Sequence, residues 1–338
     1  MRARIRDVAQ AAGVSATTVS RYLGKTLRLP QETAERIDHA IRRLDYQPSI
    51  TAQRLMRGTT EAIGLATPDI ANPFFAALAA AVEEQAAARG YHVILCSTGN
   101  RLEQELAHLR RLAAGHVDAL LFLTNRGDDG ALRAALHRHR HVVLLDEDVP
   151  GVQAPRVFVE NDLGGMLATT CLLRAGHRRI AHVTGPANLF SVRERLAGFG
   201  RGMQAAGVPV DPALILHGAY ERGFGRSAAA ALLDRADPPT AIFAASDYIA
   251  IGILDTLRSR GLAVPRDMSL VGFDDMAFAD LLDPPLTTVR QPIGLIGEQG
   301  VAAVLKLLDG DPGPDDRPIT RLPVTLIERR SVAGPRAG

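Results

Sequence analysis

The chain has no tryptophan, only 4% aromatic residues and two cysteines in 338 residues. Cys96 and Cys171 lie far apart in apolar surroundings, a pattern of buried thiols that argues against a disulfide framework or a cysteine-ligated metal. Apolar runs such as Val142 to Leu145 are far too short to span a bilayer, and the N-terminus lacks the apolar core of a signal peptide. A cytoplasmic protein with no membrane partner is expected. Nor is there a Gly-x-x-x-x-Gly-Lys phosphate loop, and Gly198, Gly200 and Gly202 have neither a preceding strand nor the phosphate-loop spacing, so they are assigned to helix packing. His137, His139 and His141 alternate with Arg138 and Arg140 just before an apolar strand, which suits a helix C-terminus better than a metal site. The acid pairs Glu147-Asp148 and Asp274-Asp275 serve hydroxyl groups as readily as acid-base chemistry, and no nucleophile stands with its base. No catalytic residue, metal or cofactor is therefore expected.

What the chain does have is length for two or three units, with 46% hydrophobic residues to fill their cores. Its charge is unevenly spread. Residues 1 to 60 carry eleven Lys and Arg against five Asp and Glu, a net of +6, whereas the rest carries 28 against 32, a net of −4. A basic head on a mildly acidic body is the electrostatic footprint of a phosphate-binding module. Within that head, Val8, Ala9 and Ala12 share a helix face, Gly13 supplies a turn, and Ser15 caps a second helix. This second helix turns Val19, Tyr22 and Leu23 inward and leaves Ala16, Thr17, Ser20 and Arg21 outside. The pattern fits a helix-turn-helix, although periodicity alone fits an ordinary helical hairpin as well. Pro30 to Leu44 adds a third helix with Thr33, Ile37, Ile41 and Leu44 on one face. Ser49 then caps a two-turn helix to about Met56, too short to be stable in water without a partner.

From Ala62 the texture changes to short runs rich in Val, Ile and Leu alternating with amphipathic helices. Strands are expected at 62–68, 92–97, 119–124, 142–146 and 156–159, and in a second set at 180–185, 241–246, 269–273 and 287–291. Phe74 to Arg89, Leu163 to Ala175, Tyr248 to Arg260 and Ile293 to Leu308 read as helices. Strands this apolar are covered on both faces, which means an α/β class with two parallel sheets between helices. Polar residues gather where such strands end, and ligands bind there.

Several ordered motifs make a more specific statement together. Ile5-Arg-Asp-Val-Ala, Gly13-Val-Ser-Ala-Thr-Thr-Val-Ser-Arg21 and Tyr46-Gln-Pro-Ser with Ala52 and Leu55 stand in the head. Ile63-Gly-Leu, Asn72-Pro-Phe-Phe, Arg195-Leu-Ala-Gly-Phe, Val271-Gly-Phe-Asp-Asp and Leu326-Ile-Glu-Arg-Arg-Ser follow in the body. The chain resembles the LacI family of bacterial transcription regulators over nearly its whole length. The resemblance implies a helix-turn-helix domain over 1–48, a hinge helix and linker over 49–60, and over 61–338 a two-lobed sensor similar to periplasmic sugar-binding proteins. The chain would cross between lobes near residues 160, 292 and 320. It implies DNA contacts from Ser15, Ala16, Thr17, Thr18 and Arg21, with Leu55 wedged into the minor groove. Ligand contacts are implied for Asn72, Phe74, Phe75, Asp146, Arg195, Tyr220, Ser246, Asp247, Asp274 and Gln291.

The expected function is therefore a ligand-responsive repressor, a homodimer on a pseudo-palindromic operator, controlling carbohydrate use and released by a pentose or hexose. A purine co-repressor on the same architecture is the alternative, and a sugar-processing enzyme with a basic appendage is a remoter one. Glu147 departs from ribose binders of this kind, which often place an arginine there. With only seven residues after Ser331 and no heptad tail, no tetramer is expected.

Overall fold

The computed structural model describes residues 3–24, 27–46, 59–127, 130–310 and 318–336, and the chain divides into two units, 1–60 and 61–338. The expected hinge helix, Leu55 included, lies outside the described residues.

The first unit is built from α1 (Ile5–Ala12), α2 (Ala16–Leu23) and α3 (Gln31–Arg43). Gly13, at φ 66°, ends α1 in the left-handed conformation that glycine adopts without steric cost. Ser15 caps α2, its hydroxyl accepting from the Thr18 amide at 3.0 Å and meeting the Thr18 hydroxyl at 2.8 Å. Val8, Ala9, Ala12, Val19, Ile37 and Ala40 form the core, and the Tyr22 hydroxyl donates to Asp38 Oδ2 at 3.1 Å, tying α2 to α3. Thr17 and Arg21 are exposed as expected, but Ala16 is half-buried against the core and not on the outer face.

The second unit holds twelve strands among the described residues. One sheet comprises β1 (Ala62–Thr67), β2 (His92–Ser97), β3 (Ala119–Phe122), β4 (Val142–Leu145), β5 (Arg156–Val159) and β11 (Ile319–Leu322). The other comprises β6 (Ile180–Thr184), β7 (Ile215–His217), β8 (Ala241–Ala244), β9 (Ser269–Asp274), β10 (Thr287–Arg290) and β12 (Thr325–Ile327). Their orders are β11-β5-β4-β3-β1-β2 and β12-β10-β9-β8-β6-β7. Every pair is parallel except β10 with β12. The chain leaves the first sheet after β5, returns after β10 and crosses again between β11 and β12. Both sheets thus reverse strand order beside their first strand, at β1/β3 and at β6/β8, where the ends of diverging crossovers leave a crevice.

Helices α4 (Pro73–Ala87), α5 (Leu102–Ala113) and α6 (Ala131–Leu136) cover the first sheet. Helices α7 (Asn161–Arg174), α8 (Phe190–Ala205), α9 (Arg222–Leu233) and α10 (Asp247–Ser259) cover the second, and α11 (Ile293–Asp309) returns to pack on α4 and the first sheet. One apolar cluster runs from Ile63 and Leu121 in the first lobe to Phe199, Phe243 and Phe273 in the second, so the lobes share a core. Four strands depart from the expectation. β7, β11 and β12, of three or four residues, carry too little apolar periodicity to stand out, and β2 is an edge strand with Ile94 41% and Leu95 46% exposed, not covered on both faces.

Glycine decides how closely α7 and α8 approach. A methyl group on Gly198 would stand 1.9 Å from the Asp162 carbonyl oxygen, and one on Gly202 would stand 3.0 Å from Thr169, whereas Gly200 faces open space. Helix packing thus accounts for two of the three glycines and not for Gly200. Gly198→Ala should destabilise the protein by about 1–3 kcal/mol through overpacking, while Gly200→Ala should be neutral or stabilising by up to ~1 kcal/mol. Chemical denaturation of the two variants checks the contrast, and equal effects would refute the assigned contact.

Candidate functional site

The strand ends converge on a crevice lined by Asn72, Phe74, Phe75, Asn125, Asp146, Ser191, Arg195, Tyr220, Ser246, Asp274 and Gln291. Nine of the ten positions expected from sequence are in this lining, and Asp247 is not. Asn125 and Ser191 were not foreseen. Asn125 follows β3 and Ser191 lies at the start of α8, the helix after β6, but a single Asn or Ser at such a place carries no sequence signal.

Most lining residues reach the crevice because a cap or a turn aims them there. Asn72 caps α4 by accepting from the Phe74 amide at 3.0 Å, and the Phe74 and Phe75 rings that follow meet edge to face at 5.3 Å. Ser246 caps α10, accepting from the Ile249 amide at 3.1 Å. Asp146 and Asp274 end β4 and β9 with φ of 64° and 111°, backbone outside the usual strand region that turns their carboxylates away from the sheet. Tyr220 lies so close over Gly185 that a methyl group there would come within 2.4 Å of its ring, and its hydroxyl stands 3.4 Å from Ser191 Oγ.

Arg195 holds the centre. It is 3% exposed, and a buried guanidinium requires partners on several sides. Nε donates to Asn161 Oδ1 at 2.8 Å, Nη1 donates to the Ala245 carbonyl at 2.6 Å, and the guanidinium carbon sits 3.7 Å from the centre of the Phe273 ring. The opposing charge comes from Asp146 in the first lobe and Asp274 in the second. Burial raises both carboxyls above their ordinary range, Asp274 strongly, and the field of Arg195 opposes the rise. Gln291 Nε2 donates to Asp274 Oδ1 at 2.7 Å, while Gln291 Oε1 and Asp146 Oδ1 are buried with no hydrogen-bond partner in the protein. The crevice is thus rich in acceptors awaiting donors.

Asp247 is corrected from ligand contact to support. Its Oδ1 accepts from the Thr288 hydroxyl at 2.7 Å and its Oδ2 from the Met276 amide at 2.8 Å, so both oxygens are turned away from the crevice. Burial pushes this carboxyl up to about 7. Together with Asp275, held by Arg290 Nε and Arg329 Nη2 at 2.6 Å each, it fixes the turn that presents Asp274.

Glu147 links the lobes. It follows β4, is 2% exposed, and accepts from the amides of Phe190 at 2.9 Å and Ser191 at 3.2 Å and from the Ser191 hydroxyl, all at the start of α8. Burial, then repulsion from Asp146, pushes it from the ordinary 4.5 to about 8. Beside it, the rings of Phe158 of β5 and Phe190 meet at 4.7 Å with a tilt of 41°, and Arg321 of β11 makes a two-pronged ion pair with Glu194 at 2.8 and 3.0 Å. A carboxyl whose pKa is raised by folding contributes stability below its unfolded value and loses it as pH rises through its folded one. The melting temperature of the parent should therefore fall between pH 4.5 and 8 more steeply than that of Glu147→Gln. Equal slopes in a pH series of thermal melts would contradict this environment for Glu147.

With this geometry, comparison with known proteins is informative. Residues 4–49 match the domain of bacterial regulatory proteins, lacI family, and residues 169–332 match a periplasmic binding protein-like domain. The chain is 35% identical to the HTH-type transcriptional regulator DegA of Bacillus subtilis (strain 168), over 88% of this chain and 89% of that protein. It is 32% identical to the HTH-type transcriptional repressor PurR of Vibrio atlanticus (strain LGP32), over 98% of both. Among solved structures, a lac repressor dimer bound to operator and the anti-inducer ONPF superposes with a TM-score of 0.86 at 28% identity, covering 98% of this chain and 100% of that one. The transcriptional regulator CelR in complex with cellobiose gives a TM-score of 0.73 at 31% identity over the same shares. On these matches this chain belongs to the LacI family as a ligand-responsive transcriptional repressor, not an enzyme.

Proposed function

We propose that the chain represses a carbohydrate-utilisation operon as a homodimer on a pseudo-palindromic operator and is released when a pentose or hexose fills the crevice. In this reading residues 1–48 bind DNA, 49–60 form the hinge, and 61–338 sense the effector and dimerise. The observation that carries the sugar assignment is the surplus of acceptors. Asp146 Oδ1 and Gln291 Oε1 are buried without partners, Asp274 stands beside them, and a sugar ring brings adjacent hydroxyl donors to all three. Arg195 supplies the donor, and the Phe74 and Phe75 pair offers an apolar wall for the ring face. The CelR relative with cellobiose supports a saccharide. The PurR relatives favour a purine as the second reading, which the same aromatic wall accommodates. Ligand acts only through its difference in affinity between the operator-competent and released states, and the two lobes supply those states by closing on it.

A thermal-shift screen of pentoses, hexoses and nucleobases on the full chain separates the readings, with a shift from nucleobases alone removing the sugar. Asp274→Ala or Arg195→Ala should each weaken the bound sugar about tenfold or more, since hydrogen bonds to charged groups contribute ~1.5–3 kcal/mol. Calorimetry showing undiminished affinity in both variants would eliminate this crevice as the site. On the DNA side, Arg21→Ala should weaken operator binding by about 1–3 kcal/mol if its contact is to a base. Effector affinity should stay unchanged. A gel-shift titration at matched salt in which the variant equals the parent would refute the docking of α2.

A further inference from the structure

Resting on the reading of the crevice as the effector site, we infer that Glu147 is a specificity-determining residue. Its carboxyl group fills the donor set at the start of α8 that would otherwise hold an anionic group, so the crevice admits uncharged effectors and rejects their phosphorylated or acidic counterparts.

Three donors are involved: the amides of Phe190 and Ser191 and the Ser191 hydroxyl, at the head of a 16-residue helix. Convergent amides at the positive end of a helix dipole are what a phosphate or carboxylate ordinarily binds. Here a side chain from the opposite lobe occupies them, and at 2% exposure it leaves no room beside it for a second acid. Ser191 also lines the crevice, so the filled donor set opens onto the effector's place.

The remaining lining points the same way. Two carboxyls, Asp146 and Asp274, face one guanidinium, and Arg195 has already committed Nε to Asn161 and Nη1 to the Ala245 carbonyl. An incoming anion would meet two acids beside a guanidinium that already makes two hydrogen bonds within the protein. Independently, the partnerless Gln291 Oε1, on a side chain 4% exposed, requires a donor from the ligand, which a phosphate or carboxylate does not supply. The same contact joins the lobes, so Glu147 supplies internally the bridging that an effector's acidic group would otherwise provide.

The test uses the full-length protein and calorimetry at fixed ionic strength with inorganic phosphate and with matched pairs: ribose against ribose 5-phosphate, glucose against glucose 6-phosphate. Glu147→Ala vacates the donors and should bind inorganic phosphate about tenfold or more tightly than the parent does. Glu147→Gln, which keeps the volume and a carbonyl acceptor, should gain nothing. If the alanine variant does not fold, Glu147→Ser vacates the same donors. A folded vacating variant with no gain for phosphate overturns the inference, as does a parent that binds a sugar phosphate more tightly than its sugar. If no sugar binds the parent yet the vacating variant gains phosphate, the inference stands and the sugar reading falls.

Discussion

A guanidinium buried between two lobes is the constraint on which this crevice depends. Burying a guanidinium commits the surroundings to supply acceptors and counter-charge. Asn161, the Ala245 carbonyl and the Phe273 ring meet the first need, and Asp146 and Asp274 the second. These groups come from α7, the end of β8, β4 and β9, which places both sheets under one electrostatic requirement. Removing the cation would leave two raised carboxyls facing each other, and removing the acids would leave an uncompensated charge, so the set is stable only as a whole.

The glycines of α7 and α8 serve that arrangement. A methyl group on Gly165 would come within 2.2 Å of the Arg195 carbonyl oxygen, and one on Gly164 within 2.6 Å of the Phe273 ring. Backbone contact between the helices therefore sets the height of Arg195 above the sheet, and the ring on which it rests lies directly on α7. Small residues that look like packing filler in the sequence are the spacing elements of the binding site.

How much of this was legible in the sequence follows from which interactions are local. The Ser15 cap acts within three residues and strand ends are marked by the switch from apolar to polar residues, so the helix-turn-helix and both sheets were readable from the residues themselves, whereas the nine lining positions came from the resemblance to the LacI family. Asp247 was misassigned because its partners, Met276 and Thr288, are brought to it only by the fold, and a carboxylate at a strand end looks the same whether it faces a ligand or an amide. Glu147 stood out as a departure, but its role needed the start of α8, 43 residues further on, to be placed against it. β7, β11 and β12 were too short for periodicity to speak, and β2 carries the apolar composition of a covered strand while lying at an edge.

The three passages of the chain between the sheets have a mechanical consequence. One link would let the lobes swivel freely, whereas three links that also share a continuous apolar core restrict how the lobes can move against each other. The path of that motion is set by the crossing segments and the core they share, not by the side chains that line the crevice.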